Sequence, residues 1–301
     1  MKGILPSLNT PFSNKGDLDL KSLEKLVKHT IRSGCSGMLG LAVAGEHKLL
    51  SFKEKIAFIE LVKYTNKERI PFIVSVSDLQ NEDSIKLSKI AKKNNATGIN
   101  IQINQNIKTA DNLKLLKEIA KVGPEIIMVQ DLDWIGTGLS QKKILKLFDE
   151  INKFKWLKIE TKNAGQKYTT IKKITKNKLH VCGGWAVTQL IDALSRDVDA
   201  FIPTGLEFLY VKIYNLFNKG FYYEARDLFN EVLPIINFSN QNIDISIKFF
   251  KNVRVQEKIF ASNFCRNKKA KFDGFQKKEG KEMLNLITKL NQKYIININN
   301  I

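Results

Sequence analysis

Cysteine is scarce in this chain of 301 residues. Its three cysteines, Cys35, Cys182 and Cys265, are odd in number and far apart, which excludes a disulfide scaffold and suits a reducing compartment, so a cytoplasmic location is expected. Long apolar runs are missing too, and without some 18 uninterrupted apolar residues nothing is expected to span a membrane. The opening MKGILPSLNTPF has one basic residue, a short apolar run and an early Pro6, so it is not expected to act as a secretory signal. Acidic residues are in deficit, 30 against 49 basic ones, for a net charge of +19. Such an excess raises nucleic acid as a partner. Here, however, lysine is spread through nearly every helix-like segment among many Asn and Ile, with no RNP, helix-turn-helix or zinc-finger pattern. A general compositional bias explains that better than a binding stripe, and neither a nucleic-acid nor a membrane partner is expected.

What the chain does have is alternation. At ~150 residues per domain the length suggests about two domains, although a closed α/β barrel can use it all as one. Short apolar runs at 4–10, 38–43, 71–76, 97–103, 125–131, 155–161, 178–183 and 198–203 read as strands. The first six are each followed by a 3.6-period segment, at 19–32, 51–65, 81–94, 109–122, 140–152 and 166–176, and 186–196 reads as the next helix. Asp19 is a plausible N-cap, and Ser51-Phe52-Lys53-Glu54 reads as a capping box. Eight strand and helix units with short connections close most naturally into a (β/α)8 barrel. An open doubly wound sheet is the competing architecture, but LNTPFSNKG after the first strand offers no G-x-G-x-x-G turn. From 206 onward the pattern is helical, at 206–218, 222–235, 241–251 and 277–291. The chain therefore divides into a barrel over 1–205 and a C-terminal helical extension over 206–301, with 266–278 read as a solvated loop.

Charged residues at the C-terminal ends of barrel strands carry the most functional weight. In KWLKIET the alternation sets Leu157, Ile159 and Thr161 on one face and Trp156, Lys158 and Glu160 on the other. If the leucine and isoleucine meet the helices, Lys158 and Glu160 point into the barrel mouth. An inward lysine there costs several kcal/mol of desolvation unless it is paired, neutral or used. One reading is a desolvated amine that attacks the carbonyl of a 2-oxo acid to form a Schiff base. Others are a structural Lys158–Glu160 ion pair and a mis-phased strand with a solvated lysine. His47 follows Glu46 at the mouth of the second strand, as a substrate ligand or a solvated loop residue. His180 and Cys182 share a face of the seventh strand, but two ligands do not make a zinc site. No metal site is expected.

Several segments fall in the order of a known family: LNTPF at 8–12, GDLDL at 16–20, GCSGMLGLAVAGE at 34–46 and LKIE at 157–160. On these the chain resembles the dihydrodipicolinate synthase and N-acetylneuraminate lyase family, class I Schiff-base lyases on a (β/α)8 barrel with a helical extension. MVQDLDWIGTGLS (128–140), FKWLKIETKNAGQK (154–167) and LPIINFSNQN (233–242) look like its branch containing L-2-keto-3-deoxyarabonate dehydratase. The resemblance makes Lys158 the Schiff-base lysine and Glu160 the acid/base, with Gln130 where other members carry a relay tyrosine. It also places Val43, Ala44, Gly45 and Glu46 at a G-T-T-G-E motif. With both hydroxyl residues replaced there, backbone N–H groups would have to hold the substrate carboxylate. Asp131 would orient Gln130 or cap the next turn. Gly183, Gly184 and Trp185 stand in place of an acidic D-G-E-E, Ile202 ends the eighth strand, and the fourth strand lacks the family's P-Y-Y. The implied activity is dehydration of a 2-keto-3-deoxy sugar acid by a homodimer or homotetramer, without a cofactor. A pyruvate aldolase, a condensing synthase and a non-catalytic carboxylate-binding barrel are the alternatives.

Overall fold

In the computed structural model the described residues are 2–78, 80–184 and 188–296. The strands are β1 Gly3–Ile4, β2 Met38–Gly40, β3 Phe72–Ser75, β4 Gly98–Gln102, β5 Ile126–Asp133, β6 Phe154–Thr161, β7 His180–Gly183 and β8 Ala200–Phe201. They pair in parallel in the order β1-β8-β7-β6-β5-β4-β3-β2. A parallel bridge between Ser7 and Leu39 joins the two edges, flanked by hydrogen bonds from Leu8 N to Leu39 O (2.8 Å) and from Leu39 N to Pro6 O (3.0 Å). The sheet is therefore a closed barrel, not an open one. β1 and β8 are shorter than their apolar runs suggest, because Pro6 and Pro203 lie in those runs and proline has no N–H to give to a ladder.

A helix follows each strand: α1 Leu20–Arg32, α2 Phe52–Asn66, α3 Asn81–Lys93, α4 Thr109–Val122, α5 Gln141–Glu150, α6 Ala164–Ile174, α7 Leu190–Ser195 and α8 Glu207–Asn218. Asp19 caps α1 by accepting from Ser22 N at 3.1 Å. Ser51 and Glu54 form a capping box on α2, with bonds of 2.8 Å and 3.3 Å between backbone and side chains. Residues 185–187, which include Trp185 and the expected start of α7, lie outside the described residues. α8 packs against β1 and completes the outer ring, so a division at 205/206 falls between the eighth strand and its own helix. The helices beyond are α9 Tyr222–Ser239, α10 Ile243–Gln256 and α11 Gly274–Ile296. α9 runs past Pro234, and the burial of Ile235, Ile236 and Phe238 holds its last turn.

The side-chain alternation of the strands separates two cores. Leu5, Leu39, Ile73, Met128, Trp156, Cys182, Ala200 and Ile202 fill the barrel, while Leu157, Ile159, Val129 and Val181 face the helices. The segment after α10 is not simply solvated. Arg266 ties it down through Glu54, Leu49 O and Gly16 O, Ala270 is buried, and α11 begins within it at Gly274.

Candidate active site

Above the apolar filling, the inward positions of β3 to β6 turn polar. Lys158 and Glu160 are consecutive inward residues of β6, and their Nζ and Oε2 lie 3.1 Å apart, with the side chains 5% and 10% exposed. Among the described residues Glu160 is the only ionic partner of Lys158, so the amine keeps unused bonding capacity facing the open end of the barrel. The same Oε2 accepts a short hydrogen bond from Gln130 Nε2 on β5. Gln130 Oε1 in turn accepts from Asn100 Nδ2 at 3.0 Å, and Asn100 also reaches Ser75 Oγ at 3.2 Å. One polar chain thus runs across four strands and ends on the lysine. Gly184 is needed for its last link, because a Cβ there would lie 2.2 Å from Glu160 Oε1.

The pair opens into a cleft, continuous with solvent, at the C-terminal end of the strands. The loop after β2 forms one wall. Its Val43–Gly45 segment is a single 3-10 turn ending at Glu46 in the left-handed region, φ 53°. LNTPF holds this turn: Asn9 Nδ2 donates to Ala44 O (3.0 Å) and Thr10 Oγ1 to Gly45 O (2.6 Å). The loop after β5 carries Trp134 to the rim. Asp133 accepts from Gly136 N (2.8 Å) and Gly138 N (3.1 Å), while Asp131 accepts from Leu139 N (2.8 Å) and pairs with Lys167. Gly138, at φ 68°, has no room for a Cβ against Asp131.

The expected residues separate by where they point. Gln130, Lys158, Glu160, Val43, Ala44, Gly184 and Ile202 line the cleft; Gly45, Glu46, Asp131 and Gly183 do not. Asp131 faces outward and closes the β5 loop, and its burial raises its pKa despite the Lys167 ammonium. It therefore caps a turn rather than orienting Gln130. Glu46 is turned away from the cleft into an ion pair with Lys251 of α10, and its Oε1 accepts from Asn267 N at 2.8 Å. His47 is buried instead of solvated. Burial, with the charges of Lys48 and Lys55, pushes its pKa down to about 4, so it is neutral at pH 7. His180 stacks on Trp156 with centroids 4.5 Å apart, and burial raises the Cys182 thiol pKa, so it is no nucleophile near neutrality. Among the described residues no group of three or more His, Cys, Asp or Glu could hold a metal, and no helix is long and apolar enough to cross a membrane.

The cleft also recruits residues that periodicity does not single out: Ser7, Thr204 and Tyr210, and from the extension Asn240, Ser246 and Phe250. The only local signal for the last group is the polar run Ser239-Asn240-Gln241-Asn242 between two amphipathic helices.

Two curated relatives align over most of the chain. One is a 4-hydroxy-tetrahydrodipicolinate synthase of Karelsulcia muelleri, 28% identical over 285 residues, covering 89% of this chain and 95% of the relative. The other is an L-2-keto-3-deoxyarabonate dehydratase of Azospirillum brasilense, 25% identical over 253 residues and covering 81% of each chain. The sialic acid aldolase of Ruminococcus gnavus superposes with a TM-score of 0.86 over 97% of this chain and 98% of its own, at 17% identity, and supports the fold alone. The family profile described as the dihydrodipicolinate synthetase family matches residues 1–267, so a barrel with an inward lysine on its sixth strand, and with its polar mouth partly walled by C-terminal helices, belongs to the dihydrodipicolinate synthetase family of lyases.

Proposed function

We propose that Lys158 forms a Schiff base with the carbonyl of a 2-oxo acid and that the reaction is dehydration of a 2-keto-3-deoxy sugar acid. The amine adds to C2 and water leaves, giving an iminium that acts as an electron sink. Glu160 takes a proton from C3, the electrons flow into the iminium, and the C4 hydroxyl departs with a proton as water. The C5–H and C5 hydroxyl protons then shift to C3 and C4, so that C5 of a pentonate becomes the aldehyde, and hydrolysis returns the lysine. The backbone N–H groups of the 43–45 turn are the candidates for holding the substrate carboxylate.

The observation that carries this reading is the link from Lys158 through Glu160 to Gln130. A buried amide fixes the carboxylate beside the amine, which suits proton abstraction. Condensation with an aldehyde leans on hydroxyl relays, and Val43, Ala44 and Gln130 offer none. A homodimer or homotetramer belongs to the same reading. Treatment with sodium borohydride and a 2-keto-3-deoxy pentonate should leave a mass adduct on Lys158, lost in Lys158→Ala, and turnover should yield a 2-oxo semialdehyde without pyruvate. An adduct elsewhere sinks the Schiff-base assignment, and steady pyruvate release makes the enzyme an aldolase.

A further inference from the structure

Among the described residues, the side chains lining the cleft are uncharged apart from Lys158 and Glu160. A substrate with a second carboxylate or an ammonium at its far end would bury that charge with no counter-ion, at a cost that a neutral group avoids. The wall across the cleft has hydrogen-bonding groups to spare. Ser246 on α10 is 5% exposed and lines the cleft, yet its hydroxyl makes no hydrogen bond to the protein among the described residues. Asn240 closes α9 through its backbone N–H, which donates to Ile236 O at 2.9 Å, and its side-chain amide is likewise unengaged among the described residues. Thr204, after β8, stands on the same lining.

We propose that Ser246 and Asn240 form a subsite of the C-terminal extension that selects a neutral, hydroxylated tail on the 2-oxo acid and discriminates against a charged one. The proposal rests on the reading of Lys158 as the group that receives the carbonyl end, and it adds where the other end is read. A hydroxyl and an amide that a bound ligand covers without pairing penalise that ligand, so a polyol chain gains over an alkyl chain of equal length. The barrel would then supply the chemistry and the extension the choice of substrate.

The test separates the two readings. Calorimetry on the full chain compares a five-carbon aldonic acid with glutarate. Neither has a 2-oxo group, so neither needs an imine to bind. The aldonic acid should bind at least about tenfold more tightly. Ser246→Ala and Asn240→Leu should each remove much of that preference, about the effect of one neutral hydrogen bond, while Ser246→Thr, which keeps the hydroxyl, should restore it. With a 2-keto-3-deoxy acid as substrate, the same two variants should raise KM far more than they lower kcat. Glutarate binding as well as the aldonic acid would overturn the subsite. So would equal weakening of both ligands, or an unchanged preference in variants whose circular dichroism and Tm match the parent. Failure of pyruvate to leave a borohydride adduct would instead remove the Schiff base and leave the calorimetric comparison standing.

Discussion

Two buried lysine–glutamate pairs in this molecule are finished in opposite ways. Lys251 and Glu46 are sealed, 0% and 1% exposed. Lys251 also donates to Phe264 O at 2.9 Å and sits 4.4 Å from the centroid of Phe12, while Glu46 accepts from Asn267 N. Little bonding capacity is left over. Lys158 and Glu160 are buried nearly as deeply, but their amine has one ionic partner and an open cleft beside it. Burial makes a charged pair costly in both places. The first offsets that cost with further bonds and becomes a rivet between barrel and extension; the second leaves it partly unmet, which suits the Schiff-base role proposed for Lys158.

The contrast predicts which property each substitution moves. The largest effect is expected from Lys158→Ala, which should reduce turnover to background while Tm stays within a few degrees of the parent; residual turnover above that of a heat-killed control would make Lys158 structural. Glu160→Gln keeps the volume and the contact with Gln130 but removes the base. Turnover should fall by roughly 10²- to 10⁴-fold while borohydride trapping survives. Loss of trapping as complete as in Lys158→Ala would show that Glu160 builds the site instead of moving a proton. Lys251→Met strands Glu46, so urea unfolding should report a loss of about 3–5 kcal/mol. Adding Glu46→Gln should recover part of it, and a double variant no more stable than the single one would mean that the pair is not coupled.

The smallest effect lies at the edge of the rivet. Arg266, by hydrogen bonding, holds the Glu54 carboxyl at about 2, below its ordinary 4.5. A depressed carboxyl contributes stability above its unfolded pKa and loses it as the pH falls from about 4.5 through about 2. Arg266→Gln should therefore cost below about 1 kcal/mol at neutral pH, since the pair is partly exposed, and the two proteins should converge in stability below about pH 2. A gap that does not change with pH would assign the loss to packing on Phe12, whose ring centroid lies 4.3 Å from the Arg266 guanidinium carbon.

Strand 6 was legible because it is long, two-faced and bounded by turns. A period of two is enough to set Lys158 and Glu160 inward, and the structure places Trp156, Leu157 and Ile159 on the faces the alternation implies. The closed barrel and its capped helices were legible for the same local reasons. Glu46 was not, because the group that turns it away is Lys251, 205 positions further along. No periodicity spans that distance. Ser246 was hidden in the same way: its helix reads as packing, and only the docking of the extension brings it to the barrel mouth, beside the Asn240 of the polar run between α9 and α10. Asp131 was ambiguous because a carboxylate at a strand end serves a turn as readily as a substrate, and Lys167 on α6, the helix after the neighbouring strand, settles which.

The bond from Asn267 N to Glu46 also has a meaning in time. A ribosome adds roughly 5–20 residues per second, and 267 − 201 = 66 residues separate Phe201, the end of β8, from Asn267, so between about 3 and 13 s of synthesis pass before the chain that anchors the 43–46 turn exists. During that interval a nascent barrel holds its lysine and its carboxylate, but not the wall and the clasp that complete the cleft. On the proposed reading, the amine is therefore not presented in a finished pocket until the last third of the chain exists to close over it.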